Sequence, residues 1–195
     1  MKKVQDHYFK KAKKEKYPAR SVYKLEEAQK KFRILRRNDT VLDLGCYPGS
    51  WSKYAAGIVG GKGRVVGIDL QQCRIKSPSG GAEIKLVQGD IFDPELPVLR
   101  ETGFNVVLSD MAPKTSGNRF MDHVQSVELA RRALEIAGKV LRRNGHFYCK
   151  LFQGEDFSRF VEETRNLFSK VKVVKPRSSR SESREVFVLG MNFLK

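Results

Sequence analysis

The 195-residue chain predicts a single α/β domain: a doubly wound, mostly parallel seven-stranded sheet whose last strand runs antiparallel. Three observations lead there. Short apolar runs alternate with amphipathic helical stretches from Thr40 onward, as in a parallel sheet with crossover helices. Val41-Leu-Asp-Leu44 runs straight into a turn holding Gly45 and Gly49, and a helical pattern follows at once. The last two strands are joined only by Lys175–Arg184, shorter than the dozen or so residues a parallel crossover needs.

Each element has its own signal. Ser21 is placed to cap a helix running to about Lys31, with Val22, Leu25 and Phe32 on its inner face. The first strand is Thr40–Leu44, and its helix Ser50–Val59 sets Trp51, Tyr54, Ala55, Ile58 and Val59 on one stripe. Gly60-Gly-Lys-Gly63 ends that helix, and Arg64–Ile68 makes strand two, closing on Asp69. Strands three and four are Glu83–Gln88, followed by Gly89-Asp90, and Phe104–Ser109, followed by Asp110. Asp122 and Gln125 form a capping-box-like start to a long helix ending near Leu141. Asn144-Gly145 then turns into strand five, Gly145–Cys149, which ends at Lys150. Phe157, Phe160, Val161, Thr164, Leu167 and Phe168 mark another amphipathic helix. Val171–Val174 and about Glu185–Met191 complete the sheet as an antiparallel hairpin.

This arrangement brings five positions to one edge. Asp69, Asp90, Asp110 and Lys150 all follow the C-terminal ends of parallel strands, and Glu185 begins the reversed last strand at the same edge. Open α/β sheets bind ligands there. A glycine turn alone is compatible with an ordinary βα connection, and a lone turn aspartate with a solvated cap. Their convergence in register is what points to a ligand. Asp69, 24 residues beyond Gly45, sits where an acid accepts from ribose hydroxyls, and Asp90 could orient an adenine amino group.

Charge narrows the partner. The formal net charge is +16. Residues 1–37 hold fourteen Lys and Arg against four acids, and Lys170–Glu185 holds six against two. A lysine run is usually a solvated helix face. Here Tyr8, Phe9, Tyr17 and Tyr23 are interleaved with the bases, which suits phosphates on lysines and bases on rings. We therefore expect residues 1–37 to be a basic extension that contacts RNA or DNA, plus the first helix of one 1–195 domain. No run of about 18 apolar residues occurs, so no membrane span is expected. Cys46, Cys73 and Cys149 have neither disulfide nor zinc spacing, and His7, His123 and His146 are scattered, so no metal site is expected.

The glycine turn lacks the G-x-G-x-x-G of nicotinamide dehydrogenases, since Tyr47 stands two after Gly45. Its spacing resembles the first motif of S-adenosylmethionine-dependent methyltransferases. Asp110-Met-Ala-Pro113 is not the Asp/Asn-Pro-Pro-aromatic sequence of amino-directed enzymes, and no Cys follows a Pro there as cytosine carbon-5 chemistry requires. Cys149 should face away from Lys150 as a small buried hydrophobe.

Nearly the whole chain resembles the FtsJ/RrmJ family of ribosomal RNA ribose 2′-O-methyltransferases. The matches are Arg20-Ser-Val-Tyr-Lys24-Leu, Asp43-Leu-Gly-Cys-Tyr-Pro-Gly-Ser-Trp51, Ser109-Asp-Met-Ala-Pro113 with Ser116-Gly117, Lys150-Leu-Phe-Gln-Gly154, and Lys175-Pro-Arg-Ser-Ser-Arg180 ending in Ser183-Arg-Glu185. The resemblance implies a Rossmann-like methyltransferase fold and a Lys-Asp-Lys-Glu catalytic set at Lys24, Asp110, Lys150 and Glu185. It also implies cofactor contacts at Gly45, Gly49, Trp51, Asp69, Asp90 and Asp110. Cys46-Tyr47 replaces the small residues usual in this loop, and Ser50 stands where a second glycine is common.

The resemblance further implies S-adenosyl-L-methionine as cofactor and large-subunit (23S) ribosomal RNA or the ribosomal particle as partner, met by a cytoplasmic monomer. A ribose 2′-hydroxyl is a poor nucleophile, so the enzyme must align it with the methyl and take its proton. Lys150 is assigned that base role, Asp110 holds its amine, and Lys24 with Glu185 fixes the ribose. A tRNA or cap-proximal ribose is the near alternative. A non-catalytic assembly factor would have no use for two lysines among acids in a cleft.

Overall fold

Period-two alternation sorts the strand side chains onto two faces, and each face builds its own core. The computed structural model describes residues 2–114, 116–180 and 182–195; Met1, Thr115 and Ser181 lie outside the described residues. The strands are β1 (Thr40–Leu44), β2 (Arg64–Asp69), β3 (Glu83–Gln88), β4 (Phe104–Ser109), β5 (Leu141–Phe152), β6 (Phe168–Val174) and β7 (Glu185–Phe193). The helices are α1 (Lys2–Lys14), α2 (Val22–Phe32), α3 (Ser50–Val59), α4 (Arg119–Val140) and α5 (Phe157–Arg165). Val41, Val65, Val106, Leu108 and Tyr148 point to the face covered by α2 and α3, where Leu25, Trp51, Ala55 and Val59 meet them. Leu42, Leu44, Val66, Ile68, Val107, Phe147 and Cys149 point to the other face, under α4 and α5.

The seven strands lie in the order β3-β2-β1-β4-β5-β7-β6. β1 to β5 pair in parallel, and β7 runs antiparallel to both β5 and β6. The order reverses between β1 and β4, which places the Gly45–Gly49 turn and Asp110 at the switch point. Register aligns Leu44 with Ile68 and with Ser109, and Phe152 with Glu185. All five expected edge residues therefore come to one rim.

Four local expectations change. Ser21 precedes α2 but its side chain makes no capping bond. Asn118, not Asp122, caps α4, accepting from Phe120 N and Met121 N; Asp122 instead accepts from Ser116 N and its hydroxyl in the preceding turn. Asn144-Gly145 is not a turn into a short strand: β5 runs unbroken from Leu141, with Asn144 at φ 65° and a register shift against Phe104/Val106 absorbing the irregularity. β6 starts at Phe168 rather than Val171, because that ring stacks on Phe147 and packs on Phe193.

The basic N-terminal segment adds a helix that sequence patterning did not reveal. α1 docks through buried Ala12 and half-buried Tyr8 against Val22 and Tyr23. Lys11 lies 4.3 Å over the Tyr23 ring.

Candidate active site

Two backbone features form the cradle at the end of β1. Gly45 and Gly49 have φ of 74° and 106°, conformations that disfavour a side chain. A Cβ on Gly49 would stand 2.6 Å from Ile75 Cγ2, so a side chain there would also have to displace Ile75. The turn is tied to strand two, since Gly45 N and Cys46 N both donate to Ile68 O. Cys46 fits because Gly67 leaves space for it; a Cβ there would meet its sulfur at 2.9 Å. Tyr47 stays 49% exposed, with its N–H donated to Asp69 Oδ2 at 2.9 Å. Ser50 uses its hydroxyl to accept Ala19 N at 2.7 Å, fastening the approach to α2.

The acids along the rim keep room for a ligand. Asp69 also accepts Gln71 N at 2.8 Å, and exposed Asp90 accepts Phe92 N at 2.9 Å. A carboxylate has about four acceptor positions, so ribose hydroxyls and an adenine amino group can still be bound. The cradle and acids thus fit an adenosyl cofactor. Trp51 differs from the expectation. Its side chain is 3% exposed, stacked on Tyr148 at 5.6 Å, and its indole N–H donates to Ser21 O at 2.8 Å. The ring is a core brace joining α3 to the segment leading into α2, which leaves the Trp51 backbone in the first turn of α3 as the part able to meet a cofactor.

One acid escaped sequence reasoning. Asp43, 1% exposed beneath the turn, accepts a 2.6 Å hydrogen bond from Ser52 Oγ, while its Oδ1 has no hydrogen-bond partner. Burial pushes this carboxyl up to about 7; the Ser52 bond opposes that, and the Asp110 and Asp69 charges add to it. Its alternating position in a buried strand, pointing toward α3, was the available signal.

The four expected catalytic residues come together. Lys24 Nζ lies 2.8 Å from Glu185 Oε2 and 3.9 Å from Asp110 Oδ1. Lys150 Nζ lies 2.9 Å from Asp110 Oδ1 and donates to the Asp110 carbonyl at 2.5 Å. Residues 24, 110, 150 and 185 come from α2, the ends of β4 and β5, and the start of β7. Burial alone would raise the Glu185 carboxyl, but the Lys24 charge and hydrogen bond, aided by Lys150, hold it below the usual range. Cys149 faces the opposite core, its thiol pushed up to about 12 mainly by burial.

A glycine cradle at the switch point of a doubly wound sheet, flanked by this ion-pair chain, defines the class: a Rossmann-like methyltransferase. Residues 17–193 match the model of the FtsJ-like methyltransferase family, and the chain belongs to that family. Ribosomal RNA large subunit methyltransferase E of Desulfotalea psychrophila is 53% identical, over 100% of this chain and 98% of that protein. The protein of the same name from Brachyspira hyodysenteriae is 45% identical, over 100% and 99% of the two chains. Among solved structures, a Plasmodium falciparum protein described as a ribosomal RNA methyltransferase superposes with a TM-score of 0.77 at 26% identity, covering 91% of this chain and 99% of that one. Aeropyrum pernix fibrillarin, crystallised with S-adenosyl-L-methionine, shares the fold with a TM-score of 0.62 at 18% identity, over 88% and 76% of the chains.

Proposed function

We propose that the chain transfers the methyl group of S-adenosyl-L-methionine to a ribose 2′-hydroxyl of large-subunit (23S) ribosomal RNA, at a uridine. Lys24, Asp110, Lys150 and Glu185 form the catalytic set, and Gly45, Gly49, Asp69, Asp90 and Asp110 line the cofactor, with Trp51 bracing the loop from behind. The observation that carries this reading is the unbroken run of ion pairs Glu185–Lys24–Asp110–Lys150 on the rim that holds the glycine cradle. On this reading the protein works as a monomer in the cytoplasm, on RNA that is free or already within a ribosomal particle. Among the described residues no helix is long and apolar enough to cross a membrane.

When bound, the cofactor supplies an electrophilic methyl on a sulfonium. The chain's residues do the rest. Asp110 offers Lys150 two acceptors, its carboxylate and its own carbonyl. The ammonium pairs with the carboxylate by charge and hydrogen-bonds the carbonyl; once it has released a proton, the amine held by the Asp110 carbonyl has a lone pair free to take the hydroxyl proton at Nζ. Lys24, anchored by Glu185, is left to hold the ribose. Alignment of this kind contributes about 7–11 kcal/mol to lowering a barrier.

Lys150→Ala should lower methyl transfer by about 10²- to 10⁴-fold while leaving cofactor affinity nearly unchanged. Lys150→Arg should be equally inactive, because a guanidinium does not give up its proton. The assay is tritiated methyl transfer to large subunits lacking the modification, followed by nucleoside mapping. Full activity of either variant would remove Lys150 from the proton transfer, and label in tRNA alone would redirect the substrate.

A further inference from the structure

The turn that delivers Glu185 is held by a second carboxylate of the helix that carries Lys24. β6 and β7 are joined by residues 175–184, and Ser179 N donates to Pro176 O at 3.1 Å, closing a four-residue turn. Such a turn leaves the N–H groups of its two central residues without partners in the turn itself. Those residues are Arg177 and Ser178, and Ser178 is 1% exposed, so an unpaired N–H there would be costly. Glu27 meets both: Oε2 accepts from Arg177 N at 2.7 Å and Oε1 from Ser178 N at 2.8 Å. From the other side, Arg20 donates to the Ser178 carbonyl at 2.7 Å. Nearer the strand, Lys175 Nζ donates to the Glu185 carbonyl at 2.8 Å and also to the Ser183 carbonyl.

Arg20, Lys24 and Glu27 are spaced four and three residues apart, the interval that brings side chains to one side of a helix and its entry turn. One side of α2 therefore contacts the connecting loop through Arg20 and Glu27 and the catalytic carboxylate through Lys24. We propose that Glu27 is a positioning residue for catalysis: by binding the two turn N–H groups it fixes where Glu185 meets Lys24, and hence where Lys24 meets the ribose. The bidentate geometry is what makes Glu27 specific. A carboxylate presents two acceptor oxygens to two adjacent donors, whereas an amide can satisfy only one of them and brings a donor to the other.

This inference rests on the catalytic role proposed for Glu185, so the experiment measures that role separately. Glu185→Gln alone reports whether Glu185 matters to turnover; an unchanged kcat there removes the site assignment and Glu27 with it. Glu27→Gln should lower kcat by roughly 10- to 100-fold, the cost of a misplaced catalytic group, with KM for RNA and cofactor affinity within about twofold. In the Glu185→Gln background the same Glu27 substitution should change kcat by less than about twofold, since the group it positions is already disabled.

A purely structural role would give the same fold loss in both backgrounds, together with a lowered melting temperature, and would overturn the proposal; so would an unchanged kcat in Glu27→Gln. Should Glu27→Gln fail to fold, the loop side supplies the second test. Arg177→Pro removes one N–H from the pair at a turn position that accommodates proline, and Arg177→Ala keeps the N–H while losing the same charge. Arg177→Pro should lose about tenfold more kcat than Arg177→Ala, and equal kcat in the two would refute the clamp.

Discussion

Asp43 illustrates how one residue ties the cofactor loop to pH. It lies in the middle of β1's buried face, shares a proton-sized gap with Ser52 Oγ at 2.6 Å, and carries one oxygen without a partner. Its folded-state carboxyl, pushed up to about 7 chiefly by burial, sits above the ordinary value of 3.8. A raised folded value means that the native state binds the proton more tightly than the unfolded chain. The associated stability is fully present below pH 3.8 and is lost as pH rises through about 7. Within that window the slope contributed by Asp43 is about −1.4 kcal/mol per pH unit. Asp43→Asn should therefore flatten the fall in unfolding free energy between pH 5 and pH 7 relative to the parent. Urea denaturation at several pH values measures it, and parallel pH profiles would show that Asp43 is ionised throughout. His123 behaves differently. Its Nδ1 faces the Phe152 carbonyl at 2.9 Å, and its Nε2 accepts Asp156 N at 3.2 Å. A carbonyl can only accept and an N–H can only donate, so these two backbone partners fix the orientation of the ring.

At the scale of elements, α4 shows where a capping-box pattern misplaces a helix start. Asn118 and Asp122 both stand before the apolar run, but Asp122 is already occupied by the Ser116 turn, which leaves Asn118 to accept Phe120 N at 3.0 Å and Met121 N at 3.3 Å. Asn118→Ala should cost about 1 kcal/mol of stability by denaturant titration. Gln125→Ala should stay within about 0.5 kcal/mol, and the reverse ranking would restore the capping box at Asp122. β1, β3 and β4 were legible because polar and turn residues mark their ends; Thr40–Leu44, Glu83–Gln88 and Phe104–Ser109 have the same limits in structure and pattern. β5 was not, because Asn144-Gly145 carries the strongest short turn signal in the chain and is overruled by pairing with β4 across a register shift. α1 was hidden because, among the described residues, just Tyr8 and Ala12 of this lysine-rich helix pack inward. Asp110, Lys150 and Glu185 were readable since each sits at the end of a strand, whereas Lys24, inside α2, was indicated only by the family resemblance. The Glu27 clamp was not readable, since its partners are backbone N–H groups, which leave no trace in side-chain sequence.

Over the whole molecule, the two basic blocks converge on α2, the helix that carries Lys24. α1 packs on α2 through Tyr8 and Tyr23, whose hydroxyl donates to Glu15 at 3.0 Å. The 175–184 loop is fastened to the same helix through Glu27 and Arg20. Positive charge from both ends of the chain is thereby fixed around one wall of the catalytic rim, rather than spread over the surface. Lys13, Lys14 and Lys16 are exposed at the end of α1, away from buried Ala12, so replacing them leaves the helix docking intact. RNA bound there would release about 0.7 counterions per phosphate neutralised in a single strand. The triple substitution of Lys13, Lys14 and Lys16 to Gln should therefore weaken RNA binding and reduce the slope of log affinity against log salt by up to about 2. Cofactor affinity, which the proposed function assigns to Gly49 and Asp69, should stay the same. Fluorescence anisotropy across a salt series measures the slope. An unchanged slope would mean that these lysines only solvate α1, and that the RNA reaches Lys24 along the 170–185 block alone.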